Sequence, residues 1–274
     1  MHIGIVTLFP EMLASLSAGG VVARALKQQI LQLTCLNPRN FSQNKHRRVD
    51  DRPFGGGPGM LMQTAPLEAC LQQAKAAMGQ DTPVIFLSPQ GQPLNQSVLA
   101  QWLKHNRLIL LAGRYEGIDE RLLNRWVDAE CSIGDYVLSG GELAAMVVID
   151  ALARLLPKTL GHPDSASQDS FYQGLLDCPH YTRPADSQVP AVLLSGDHAA
   201  IDRWRTQQAL GHTWLRRPDL LQQPLLTAQK KQLLAAFIQQ WWSTTRQDFY
   251  NSKTGNTDEY YSRIGTRTND PRSP

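Results

Sequence analysis

An α/β fold built on a mostly parallel sheet is what the first half of this chain predicts. Two patterns carry that prediction. Short apolar runs alternate with segments of helical spacing, and each run is closed by a turn containing Pro or Gly. Strands that alternate with helices form a layered sheet whose helical crossovers make neighbouring strands parallel. In chain order, residues 3–9 read as a buried strand closed by Pro10. Residues 84–87 read as a second strand, closed by Ser88-Pro89-Gln90-Gly91. Leu94, Val98, Leu99, Trp102 and Leu103 then recur at helical spacing. Residues 108–111 make a third strand, closed by Gly113, and Leu122, Leu123, Trp126 and Val127 suit a short helix. A long apolar helix spans 142–156, set between Gly140-Gly141 and Pro157.

Beyond Pro157 the apolar pattern lapses over 158–170, which predicts a flexible linker. Residues 171–242 then read as helical. Asp197 caps a helix carrying Ile201, Trp204 and Ala209 that ends at Gly211. Thr227 caps another with Leu233, Leu234, Phe237, Ile238, Trp241 and Trp242 on one face. From 243 to 274 the chain is polar and predicts a tail without fixed structure. The domain plan is therefore an α/β domain over 1–157, the linker, a helical domain over 171–242, and the tail.

Composition narrows the classes. With 274 residues, 42% of them hydrophobic and 19% charged, the chain can bury a sizeable core. Cys35, Cys70, Cys131 and Cys178 form no CxxC pair, which argues against zinc and disulfide scaffolds and for a reducing cytoplasm. No signal-like start and no run approaching ~18 apolar residues is found, so no membrane partner is expected. Residues 200–274 hold 11 Lys/Arg against 6 Asp/Glu, while residues 1–199 hold 16 against 18. A basic end on a neutral body suits an anionic partner such as nucleic acid, and equally a solvated face.

Ligands of open α/β sheets bind beyond the carboxyl ends of the strands. Three loops at such ends are rich in small residues: 88–91, 113–117 and 133–141. Any one of them is an ordinary turn; three together favour a nucleoside pocket read by main-chain groups. No GxxxxGK[ST] or GxGxxG motif is present, which disfavours P-loop nucleotidases, nicotinamide dehydrogenases and Rossmann-type methyltransferases. Glu142, Asp150 and Arg154 fall roughly on one helix face, either as an exposed polar stripe or as charges facing a pocket or partner. Asp169 stands alone in the linker, and Asp177, His180 and Arg183 cluster in a Pro-bounded segment. Arg203, Arg205, Arg216 and Arg217 interleave with Trp204 and Trp214, a pattern that suits phosphate contact with base stacking, or core packing for the Trp residues.

Several ordered motifs carry a resemblance. Residues 113–121 (GRYEGIDER), 132–143 (SIGDYVLSGGEL), 175–184 (LLDCPHYTRP), 51–60 and 193–198 are similar to the TrmD family of bacterial tRNA (guanine-37-N1) methyltransferases, and the likeness runs from Ile3 to about Trp242. The resemblance implies a trefoil-knotted α/β domain of the SPOUT class, a homodimer with shared active sites and a helical tRNA-binding domain. It implies methylation of guanine N1 at tRNA position 37, in support of reading-frame maintenance, with S-adenosylmethionine as methyl donor and dependence on Mg2+. By the same resemblance the cofactor pocket is Phe86, Leu87, Ser88, Pro89, Gly113, Tyr115, Glu116, Gly117, Ile133, Gly134, Tyr136, Leu138, Gly140 and Gly141. Arg154 and Asp169 match the catalytic pair, while Asp177, His180, Arg183, Arg203, Arg205, Arg216 and Arg217 are the expected tRNA contacts. Ala144 stands where the family commonly has Pro. The rivals are a knotted methyltransferase for another RNA target, such as a ribose hydroxyl, and a non-catalytic RNA-binding protein.

Overall fold

The computed structural model describes residues 1–161, 165–186, 188–222 and 226–251, with the backbone alone at 222 and 245–251. The chain divides into two compact units, Met1–Ala166 and Ser167–Pro274, and the division falls inside the segment whose composition predicts a linker.

The first unit is built on five strands: β1 (His2–Val6), β2 (Gln32–Leu36), β3 (Val84–Pro93), β4 (Arg107–Ala112) and β5 (Ala129–Ser132). Their order across the sheet is β2-β1-β4-β3-β5, and every pairing is parallel. His2 lies opposite both Gln32 and Arg107, and Val84 opposite Ile109. The apolar runs are continuous because the sheet is covered on both faces. Ile3, Ile5, Ile85, Leu87, Leu108 and Leu110 point to one side; Val6, Val84, Phe86, Ile109 and Leu111 point to the other. Helices α1 (Gly20–Lys27), α3 (Gln96–Trp102) and α5 (Glu142–Leu155) cover the first side through Val22, Leu99, Val148 and Leu152. Helices α2 (Thr64–Met78) and α4 (Glu120–Trp126) cover the second through Leu67, Leu71, Met78 and Leu122.

The caps follow the sequence. Asn95 accepts from the Val98 N–H at 3.0 Å at the start of α3, and Asp119 accepts from the Arg121 N–H at 2.9 Å at the start of α4. Two strand expectations change. The first strand ends at Val6 rather than Phe9, because the Thr7 hydroxyl takes the Phe9 N–H at 3.0 Å and turns the chain. The second runs on to Pro93: both Leu87 and Gln92 lie opposite Cys131, so residues 88–91 arch outward and the strand resumes.

Among the described residues of the second unit, 169–190 are irregular, and the secondary structure that follows is helical. Its long helices are α6 (His198–Arg216) and α7 (Ala228–Asn251). Asp197 and Thr227 cap them as expected, accepting from Ala200 N at 3.1 Å and Lys230 N at 3.3 Å. Gly211 does not end α6. It is buried inside the helix, where Phe237 of α7 lies against its Cα. The tail expected from 243 is helical as far as Asn251, and residues 252–274 fall outside the described set.

Candidate active site

The 88–91 arch of β3 and the loops that leave the carboxyl ends of β4 and β5 form the walls of a cavity of about 380 Å³. Phe86, Leu87, Ser88, Pro89, Gly113, Tyr115, Glu116, Gly117, Ile133, Gly134, Tyr136, Leu138, Gly140 and Gly141 all line it, so the residues expected to form one pocket do meet. Ala144 lines it too, from the first turn of α5.

Backbone contacts set the shape of this cavity. The Gly141 N–H bonds to the Gly113 carbonyl at 2.9 Å, and a Cβ on Gly141 would stand 2.7 Å from the Cα of Ala112. The two loops therefore touch main chain to main chain. Tyr115 holds a φ of 62°, a left-handed conformation that a bulky residue adopts only under constraint. The constraint is visible on both sides: the Glu116 N–H bonds to the Met60 carbonyl at 2.9 Å, and the Met62 N–H bonds to the Gly117 carbonyl at 3.0 Å.

Behind the loops lies a network that sequence reasoning missed. Glu142 is fully buried at the start of α5. Its carboxylate accepts from Arg114 Nε at 2.8 Å and from the Thr7 hydroxyl at 2.8 Å. The same guanidinium donates to the Ser139 carbonyl at 3.1 Å and lies 4.5 Å from the Phe9 ring centre. One ion pair thus ties the ends of β1 and β4, the 133–141 loop and α5 together. A helix N-terminus also favours a carboxylate there. The acid at the first position of α5 was the available signal, and the helix periodicity left open whether it faced solvent or a pocket. Asp150 is exposed, but Glu142 is not. At the floor, burial pushes the Cys131 thiol up to about 11, so it stays protonated at neutral pH and offers no nucleophile.

The expected catalytic pair divides between the units. Arg154 is half-buried in the last turn of α5, and Asp169 is half-buried in the second unit. Asp169 lines a second cavity, of about 540 Å³, with Asp177, Cys178, His180, Asp202, Arg205 and Lys230. There, Asp177 Oδ2 lies 2.8 Å from His180 Nε2. Burial alone would raise the Asp177 carboxyl, but the His180 hydrogen bond and the Cys178 N–H outweigh it and hold it below the usual carboxylate range. Arg183, Arg203, Arg216 and Arg217 do not line this cavity. Arg183, Arg203 and Arg216 are exposed. Arg217 is clamped on Asp219 by two hydrogen bonds of 2.9 and 2.6 Å, and Arg205 approaches Asp202 at 4.0 Å. Trp214 packs edge-on against Trp241, with ring centres 5.7 Å apart, as a core residue would.

For magnesium the fit is poor. Among the described residues, Asp177, Cys178 and His180 are a group of three potential ligands whose donor atoms lie within 4.8 Å of one another. Magnesium takes oxygen ligands in near-octahedral geometry, and this group offers a thiol and an imidazole. No helix among the described residues is long and apolar enough to cross a membrane.

Known proteins agree with the motifs. The family model described as tRNA (Guanine-1)-methyltransferase TrmD matches residues 1–223. A protein of Idiomarina loihiensis named tRNA (guanine-N(1)-)-methyltransferase is 57% identical over 243 residues, covering 88% of this chain and 96% of its own. One of the same name from Pseudomonas savastanoi pv. phaseolicola is 58% identical over 243 residues, covering 88% and 97%. A third, from Pseudomonas aeruginosa PAO1, is 57% identical over 244 residues with the same coverage. The chain belongs to the TrmD family of tRNA (guanine-1)-methyltransferases.

Proposed function

We propose that this enzyme methylates N1 of the guanine at tRNA position 37, next to the anticodon, with S-adenosylmethionine as donor. The observation that carries this reading is the cavity at the strand ends, whose walls are three interlocked small-residue loops fixed by the buried Arg114–Glu142 pair. A nucleoside with an amino-acid tail fits such a site, because main-chain groups can approach it closely and Phe86, Leu87, Ile133 and Leu138 supply apolar walls. When bound, the sulfonium supplies an electrophilic methyl group. The carbon–sulfur bond breaks as the bond to guanine N1 forms, and the N1 proton leaves to a carboxylate.

In this reading Asp169 takes that proton. A free Asp has a pKa of about 3.9 and is a feeble base, so the guanine anion must be stabilised as it forms. Arg154 does this by donating to the guanine oxygen, and positioning of methyl and N1 supplies much of the remaining acceleration. Magnesium has no assigned role in these steps. The reading extends to a trefoil-knotted first unit, a cytoplasmic homodimer with shared sites and a tRNA-gripping second unit. The motif resemblance carries those extensions, and the basic C-terminal residues suit the tRNA-gripping role.

Incubation with a tRNA transcript and methyl-labelled donor, followed by nucleoside analysis, tests the reading. The expected product is 1-methylguanosine from a transcript with guanine at position 37, and none from one with adenine there. Label in a ribose, or equal label in both transcripts, would overturn it.

A further inference from the structure

A strongly basic surface lies on the first unit, and neither the cavity nor the chemistry above uses it. Residues 39–52 hold five Lys/Arg against two Asp. Lys45, His46, Arg47 and Arg48 follow one another, and all are exposed. The turn beneath them is built from local hydrogen bonds. Asn44 Oδ1 accepts from the His46 N–H at 2.8 Å, the Arg47 N–H bonds to the Asn44 carbonyl at 2.8 Å, and the Ser42 hydroxyl donates to the Arg48 carbonyl at 2.6 Å. Arg48 approaches Asp50 at 3.9 Å. Among the described residues, no carboxylate lies within 4.0 Å of the Lys45, Arg47 or Arg52 side chains. Two arginines of the second unit, Arg217 and Arg205, differ in having acids beside them. Clustered cations without acids repel one another, and an anionic partner relieves that repulsion.

Phe54 stands two residues beyond Arg52 and is 94% exposed. It opens the run Phe54-Gly55-Gly56-Gly57-Pro58-Gly59, whose far end is fixed to the cavity wall. Glu116 lines the cavity, takes the Met60 carbonyl through its N–H, and lays its side chain against Gly59 where any Cβ would collide. An exposed aromatic ring beside uncompensated cations, on a loop rooted in the wall of a nucleoside-sized cavity, combines the two contacts that single-stranded nucleic acid needs.

We propose that residues 45–54 form a second RNA-contact surface, on the first unit. Lys45, Arg47 and Arg52 take backbone phosphates, and Phe54 stacks on an unpaired base of the anticodon loop. The inference rests on the tRNA reading above and adds to it where the first unit grips the substrate.

The test measures binding of a fluorescent tRNA transcript across a salt series. It compares the wild type, a triple variant (Lys45→Gln, Arg47→Asn, Arg52→Gln) and Phe54→Ala. Each phosphate contact contributes about 0.7–0.9 to the slope of log affinity against log salt, so the triple variant should flatten that slope by about 2–3. Phe54→Ala should weaken binding about 5- to 150-fold, the range for loss of one base stack, and leave the slope alone. Adenosylmethionine affinity, measured by calorimetry, should stay at the wild-type value in both variants. Wild-type slope and affinity in the variants, with normal methyl transfer by the wild type, would overturn this surface and leave the enzymatic reading standing. A wild type that neither binds nor methylates tRNA would remove both. Vesicles of mixed phosphatidylserine and phosphatidylcholine supply the last arm. If they bind the wild type and release the variants while tRNA affinity is constant, the surface serves a membrane and the proposal fails.

Discussion

Gly141 shows how much one missing side chain decides. Its N–H closes on Gly113, and a β-carbon there would press on the backbone of Ala112. Gly141→Val should therefore push the 113–117 and 133–141 loops apart. We expect adenosylmethionine affinity to fall at least tenfold by calorimetry, in a protein whose circular dichroism still matches the wild type. Equal affinity in a folded variant would put the ligand elsewhere. Asp119 makes a different residue-level point. The Arg121 guanidinium, bonded to it at 2.9 and 2.7 Å, holds its carboxyl down at about 2. A carboxyl depressed in the folded state stabilises fully above its unfolded value, about 3.9, and loses that contribution as pH falls through about 2. Urea midpoints should therefore drop more steeply between pH 4 and pH 2 in the wild type than in Asp119→Asn. Parallel curves would show that the pair does nothing for stability.

Among the elements, the helices of the second unit give the sharpest test. On propensity alone, Gly211→Ala should favour α6 by up to ~1 kcal/mol. Packing predicts the opposite, because the Phe237 ring occupies the space of the new methyl group. We expect a lower melting temperature for the second unit's transition; a higher one would mean that α6 and α7 do not pack closely in solution. The same glycine explains a miss, since a Gly inside an apolar pattern reads as a stop signal until its neighbour in space is known. The strands at 84–87 and 108–111 and helix α5 were legible because apolar runs and their closing turns are local. Strand β2 was not: its burial pattern is largely exposed or half-buried, so Gln32, Thr34 and Cys35 look like a loop. The pocket residues were legible through motif resemblance, and the glycine loops alone gave only its rough place. The Arg114–Glu142–Thr7 network was invisible, because its members are brought together only by the fold, Thr7 and Glu142 lying 135 residues apart.

At the scale of the whole molecule, Arg154 and Asp169 fall in different compact units, so the proposed homodimer with shared sites predicts that the two residues meet across subunits. The linker predicted over 158–170, which carries Asp169, could reach up to ~40 Å if extended. Mixed dimers of Arg154→Ala and Asp169→Ala chains test this. If the residues meet across subunits, one site carries both defects and the other neither, and about half the wild-type activity should return. Activity near the single-mutant level would show that each site draws both residues from one chain. The strand order has a consequence for biosynthesis. β1 leaves the ribosome first among the strands, yet it pairs with β4, His2 opposite Arg107. At about 5–20 residues per second, translation reaches β4 roughly 5–20 s later. Until then β1 has only β2 beside it, and two parallel strands do not stand alone in water. Ile3, Ile5 and Val6, all fully buried at the end, stay uncovered through that interval. The interval over which this apolar strand stays uncovered is therefore set by the speed of translation.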